Sequence, residues 1–196
     1  MGSYAESPIV HVVVGGACFF ATMLACCAIE PSWTAVRIGL SYYGNSITTC
    51  APYAIGFVLC IGITARGLLR IRPSHPAARR FRHAVGLVLT LMVPIPLTPY
   101  RLDLVFDWLH IGAATLLFLA GLMLGLWLAF RFNRTGRAKL WFALEALAAI
   151  SILTAQLGVH DYMIPSELAF QLSVLGLIVH SVRRLSACGL ERRTSS

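Results

Sequence analysis

The sequence predicts an all-α membrane protein, a polytopic bundle of six transmembrane helices with both termini in the cytoplasm. Three observations lead there. The 196 residues are 58% hydrophobic and only 12% charged, where soluble domains run near a quarter charged, and mean hydropathy is +0.76. The apolar residues are gathered into long runs. Residues 9–29 pass without one formal charge, which matches the ~20 residues an α-helix needs to cross a bilayer core. Finally, the runs are continuously apolar rather than alternating, which excludes a transmembrane β-barrel.

Taken in order, the spans are expected at about 9–29, 47–69, 83–98, 102–130, 140–159 and 165–182, forming one domain over residues 1–196. Met1–Ser7 carries no positive charge, so the first span lacks the n-region of a signal peptide and is expected to be retained. The third span has the shortest clean apolar stretch, and Pro94, Pro96 and Pro99 crowd its end. Each proline removes a donor and frees the carbonyl four residues earlier, that of Thr90 for Pro94 and Met92 for Pro96. Such backbone is tolerated at membrane depth where it is covered by protein or lines a cavity, so a cavity is expected beside it. Thr98-Pro99 has the form of a helix start. A helix from there would place Asp103, Asp107 and His110 on one face, continued by Ala114, Gly121 and Gly125, which suit close helix contact.

The basic residues set the orientation. Of sixteen, all but Arg37 and Arg101 fall at or after the end of span two, after span four or in the C-terminal tail, which the positive-inside rule assigns to the cytoplasm. Glu30, Asp103, Asp107, Asp161 and Glu167 fall on the opposite side. Net charge is +8, yet the cations lie in gaps between apolar runs, so nucleic acid is excluded as a partner. Lys139 is the only lysine. That bias toward arginine suggests a GC-rich genome and a bacterial plasma membrane, as a multi-pass cell-membrane protein.

Ionisable residues within or beside the spans are the candidates for function, because placing them there is costly. Asp107, His110, His160 and Asp161 fall at similar depth on the outer side. Two imidazoles and two carboxylates are a ligand set for zinc or iron, without an HExxH motif to support it. The plainer reading has Asp107 and His110 bonded to each other and to Arg101 at a wet interface, and weighs more. Arg37, Tyr42, Arg101 and Asp103 are candidates for contact with a lipid headgroup or small ligand, although the two arginines serve equally to pair with the acids. Glu145 and Gln156 share a face of span five. Glu145 either pairs with Lys139 or Arg137, or lies on a proton or substrate path. His11, His83 and His180 near the inner ends would give imidazole pairs for haem, but His83 and His160 sit at span edges, so haem is disfavoured. No cofactor is assigned, and zinc is the one the residues would suit.

Cys18 and Cys60 read as small apolar residues within spans. Cys26 or Cys27 is near enough to the outer end of span one to approach Cys50. No CxxC is present, so a thiol-redox or structural-zinc role has no motif behind it.

The six-span layout, the Ser41-Tyr42-Tyr43-Gly44 element in the first outer loop and the Asp107-x-x-His110 element at the start of span four resemble the DRAM-like superfamily and its bacterial and archaeal relatives. The resemblance implies a six-helix bundle without a shared activity. The favoured reading is a non-catalytic membrane protein that binds membrane lipids, a membrane-protein partner or a second copy of itself. No catalytic residue is assigned. The alternatives are a metal-dependent membrane hydrolase acting on lipid through the outer Asp/His residues, and a small proton-coupled transporter using Glu145.

Overall fold

A computed structural model describes residues 7–71, 76–98 and 103–194, with side chains through residue 186. It is helical, with no strand among the described residues. The helices are α1 (Pro8–Ile29), α2 (Trp33–Ile38), α3 (Ser41–Asn45), α4 (Cys50–Leu69), α5 (Pro76–Met92), α6 (Pro94–Leu97), α7 (Leu104–Trp127), α8 (Gly136–Gln156) and α9 (Met163–Thr194). Six helical stretches are long and apolar enough to cross a membrane, and the chain is a multi-pass membrane protein.

The spans fall where hydropathy places them, and their ends differ for identifiable reasons. Span two begins at Cys50, not residue 47: the Thr49 N–H closes a turn on Ser46 and leaves Ile47 95% exposed. Span three begins at Pro76, well before residue 83. Its first turns alternate buried Ala78 and Phe81 with exposed Arg79 and Arg80, an amphipathic pattern that a search for continuous apolarity passes over. The prolines do break this span. α5 stops at Met92, α6 resumes at Pro94, and Thr98 closes it through both its N–H and its hydroxyl on the Pro94 carbonyl. The expected helix start at Thr98-Pro99 is therefore corrected. α7 begins at Leu104 and is capped by Asp103, whose Oδ1 accepts from the amides of Val105 and Phe106 at 2.8 and 2.9 Å. Asp103 is a cap, not a member of the stripe through Asp107 and His110. α9 runs past residue 182 to Thr194, carrying charged turns beyond the apolar stretch.

After Trp127 the fourth span continues as a π-helical turn, Leu128–Asn133. It ends at Arg134, which takes a left-handed backbone (φ 54°) and donates its N–H to Ala129.

Consecutive spans pack as pairs, and the most extensive contact is α1 on α4. Small residues let the two backbones approach. A methyl on Gly15 would strike the Thr64 hydroxyl and lie 3.1 Å from the Cys60 carbonyl, and one on Gly67 would meet His11 Cβ at 2.7 Å and the Pro8 carbonyl at 3.1 Å. Phe19 and Phe57 cross edge-to-face at 5.3 Å in the same seam. In the α8–α9 pair Trp141 lies across Gly176. Gly121 of α7 receives Phe170 of α9, and Gly16 of α1 receives Leu175 of α9, which brings the last helix back to the first.

These contacts define two ends. At one, α1 begins beside the end of α4, and the π-turn and the start of α8 meet the last part of the sixth span. Nearly all the described arginines gather there, making it the basic end. At the other lie α2, α3 and the turns holding Glu30, Thr98, His160 and Asp161, making it the loop end.

Candidate functional site at the loop end

The loop end is built around His110, which is 5% exposed on the second turn of α7. Its Nδ1 lies 2.6 Å from the Thr98 carbonyl, with the Thr98 hydroxyl at 3.3 Å. A carbonyl only accepts, so Nδ1 carries the hydrogen. In the neutral ring Nε2 then offers a lone pair, and it lies 2.8 Å from Ser41 Oγ, which donates to it. The proline break in span three positions the Thr98 carbonyl, and α3 presents Ser41. Buried Tyr53 of α4 stands beside Ser41, close enough for their hydroxyls to interact. Ser41 itself is half-buried.

Three further links fix α2 and α3 over the bundle. The Leu40 amide donates to Glu167 Oε2 at 2.6 Å. That approach needs Gly39, whose φ is +104° and whose absent side chain would meet the Glu167 carboxylate at 2.8 Å. Arg37 pairs with Asp161 at 2.9 Å. Glu30, at the end of α1, receives hydroxyls from Ser46, from Thr48 at 2.6 Å and from Tyr42 at 2.8 Å. Tyr43 is buried and its backbone carbonyl accepts from the Thr49 hydroxyl. Burial, followed by contact with Cys27, holds its phenol above the ordinary range.

The hydrogen bonds from Ser46, Thr48 and Tyr42 hold the Glu30 carboxyl below its ordinary pKa. Because the folded-state value is lowered, this support for the loop is present above the ordinary carboxylate range and is lost as pH falls through the lowered value. Hydrogen exchange over residues 41–49, corrected for intrinsic rates, is expected to accelerate on acidification in the native protein. In Glu30→Gln it should already be fast at neutral pH. Equal protection in the two proteins at every pH would remove Glu30 from this role.

The residues singled out from the sequence are dispersed into separate contacts. His160 Nδ1 accepts from the Tyr162 amide at 3.1 Å, and its Nε2 faces the hydroxyls of Thr154 and Ser151 at 3.1 and 3.3 Å. Asp161 is with Arg37, Tyr42 with Glu30, and His110 with Ser41 and Thr98. Among the described residues no three of His, Cys, Asp or Glu gather as a metal ligand set. Asp107 is half-buried one turn before His110, and Arg101 lies outside the described residues. Cys26, Cys27 and Cys50 are free thiols, with Cys26 Sγ directed at the Thr49 carbonyl at 3.8 Å.

On α8, Gln156 is exposed in the last turn, whereas Glu145 is fully buried. Neither carboxyl oxygen of Glu145 has a hydrogen-bond partner among the described residues, and the group presses on Gly125 of α7. Among the described residues neither Lys139 nor Arg137, the partners expected for Glu145 on one reading, pairs with it; the Lys139 ammonium stands over the Phe130 ring at 5.8 Å.

Sequence reasoning missed the role of Thr98, because its working atom is a backbone carbonyl. It also missed those of Glu30 and Glu167, which read only as outer acids. At the basic end it missed Asn133. That buried side chain donates to Ser181 Oγ at 2.8 Å, and its backbone carbonyl accepts from Arg184. His180 Nε2 meets the Thr135 hydroxyl at 3.0 Å, within the field of Arg184, Arg137 and Arg183.

No family model matches the chain, and no curated protein or solved structure does either.

Proposed function

We propose that the protein binds lipid, specifically anionic headgroups at its basic end, with that end and both termini on the cytoplasmic side of a plasma membrane. One observation carries this reading. Exposed Arg134, Arg137, Arg183 and Arg184 converge where the π-turn, the start of α8 and the end of the sixth span meet. Among the described residues no ion pair engages any of them, and Glu145, the acid that follows Arg134 and Arg137 in the chain, is buried in α8. Cations held between helices on the cytoplasmic side suit phosphate-bearing headgroups, at about 1 kcal/mol each. The π-turn fits such a use, since π-bulges frequently mark functional sites.

The test compares protein in nanodiscs of phosphatidylglycerol with protein in nanodiscs of phosphatidylcholine, counting lipids that remain bound on transfer to detergent. Phosphatidylglycerol is expected to be retained preferentially, and salt should weaken the preference. Replacing Arg134, Arg137 and Arg183 together with glutamine should reduce its affinity on the order of 100-fold, from three such contacts. Equal retention of both lipids would sink the proposal.

A further inference from the structure

The lipid reading leaves the Ser41–His110 pair unused, and its geometry is that of an activated nucleophile. A serine hydroxyl is a weak nucleophile until a base takes its proton. Here Ser41 Oγ lies 2.8 Å from Nε2 of a buried imidazole, while the Nδ1–H of the same ring is fixed on the Thr98 carbonyl at 2.6 Å. That is the hydroxyl–base–orienting group arrangement of nucleophilic hydrolases, which is recognised by geometry rather than by sequence order. The third member here is a backbone carbonyl, set by the proline break between α5 and α6. Buried Tyr53 lines the same side of the serine. The pair also lies at one end of an apolar span, with His110 on the second turn of α7. α7 starts just above it with Leu104, Val105 and Trp108 at 73%, 65% and 67% exposure, an apolar approach for acyl chains, while the turns of the loop end offer the polar side.

We propose that Ser41 is a nucleophile and His110 its general base, acting on carboxylic esters at the boundary between acyl chains and headgroups. Ser41 Oγ attacks the ester carbonyl carbon as its proton passes to His110 Nε2. The tetrahedral intermediate collapses, the C–O bond to the alcohol breaks, and the alcohol leaves with the proton from Nε2. Water, deprotonated by the same nitrogen, then attacks the acyl-serine, releasing the fatty acid and restoring the hydroxyl. No oxidant, reductant or metal enters the balance.

The experiment uses the full-length protein in detergent micelles with a fluorophosphonate probe, located by peptide mass spectrometry, and follows fatty-acid release from phosphatidylcholine mixed micelles. Labelling is expected at Ser41, lost in Ser41→Ala, and about 100-fold slower in His110→Gln, in line with removal of a general base. Fatty-acid release should follow the same order. Size-exclusion profiles and thermal midpoints identify which variants remain folded. Ser41→Cys provides a second arm: its thiol should alkylate with iodoacetamide faster with His110 present than in the double variant with His110→Gln. Folded protein that stays unlabelled at Ser41, labelling unaffected by His110→Gln, or labelling without fatty-acid release would each overturn the proposal. Headgroup retention at the basic end is read separately and is unaffected by any of these outcomes.

Discussion

Gly15→Leu is expected to separate α1 from α4 and to destabilise the protein by about 3 kcal/mol or more, the upper range for overpacking. The magnitude follows from what the new side chain would meet. Beyond the Thr64 hydroxyl stand the Cys60 carbonyl at 3.1 Å and the Thr64 amide at 3.3 Å. These are backbone atoms of a continuous helix, so they cannot rotate aside as a side-chain end would. In a bilayer no hydrophobic force holds two helices together, and close packing carries much of the association. Gly62 of α4 provides the control, since a methyl there meets nothing within 4 Å; Gly62→Leu should be nearly neutral. Thermal unfolding in detergent checks both. A Gly15→Leu protein with an unchanged midpoint would show that the α1–α4 seam is not a principal source of stability.

The second large effect has the opposite sign. Glu145→Leu is expected to stabilise the fold by about 2 kcal/mol, because a buried polar group without a hydrogen-bond partner is disfavoured by roughly that amount. Leucine fills the same space against Gly125 without oxygens to satisfy. Glu145→Gln should fall between, since an amide still leaves buried polar atoms. Thermal midpoints of the three proteins test the order, and a Glu145→Leu midpoint at or below the native one would mean that the carboxyl has a partner in the membrane. A carboxyl kept against its own stability interest is a natural suspect for function. Reaction with dicyclohexylcarbodiimide, which attacks carboxylic acids in apolar surroundings, would give the same group a chemical readout.

The bundle was legible because its signal is composition sustained over whole helices. Six apolar runs survive errors of several residues at each end, and the face carrying Gly121 and Gly125 reads correctly from spacing alone. The ends were less legible. Asp103 looks like one more acid on a helical face, and only the position of the α7 start turns it into a cap. Arg79 and Arg80 mask a helix start that Ala78 and Phe81 support. The candidate site was legible as an address more than as an arrangement. His110 stands out because a span contains it. Its partners come from residues 41 and 98, one a loop hydroxyl and the other a backbone carbonyl, and neither has a pattern that links it to position 110. Four ionisable residues at similar depth suggested one cluster; the fold instead gives Asp161 to Arg37 and His160 to the hydroxyls of Thr154 and Ser151.

Two of the links that secure α2 and α3 reach across the chain to its last span and the turn before it, and this bears on how the protein is made. α1 with α4, α5 with α7, and α8 with α9 each join consecutive spans, so each hairpin can assemble soon after it leaves the ribosome. The Leu40 amide and Arg37 must wait for Glu167 and Asp161, and Gly16 must wait for Leu175, all supplied by the last helix or the turn before it. A nascent or truncated chain ending before Asp161 would hold two hairpins and an unpaired α8, with its first loop held through Glu30 and His110 but without Asp161 and Glu167. The finished loop end thus requires that synthesis has run to the final span, since the fastening of Leu40 and Arg37 is supplied from there and from the turn before it.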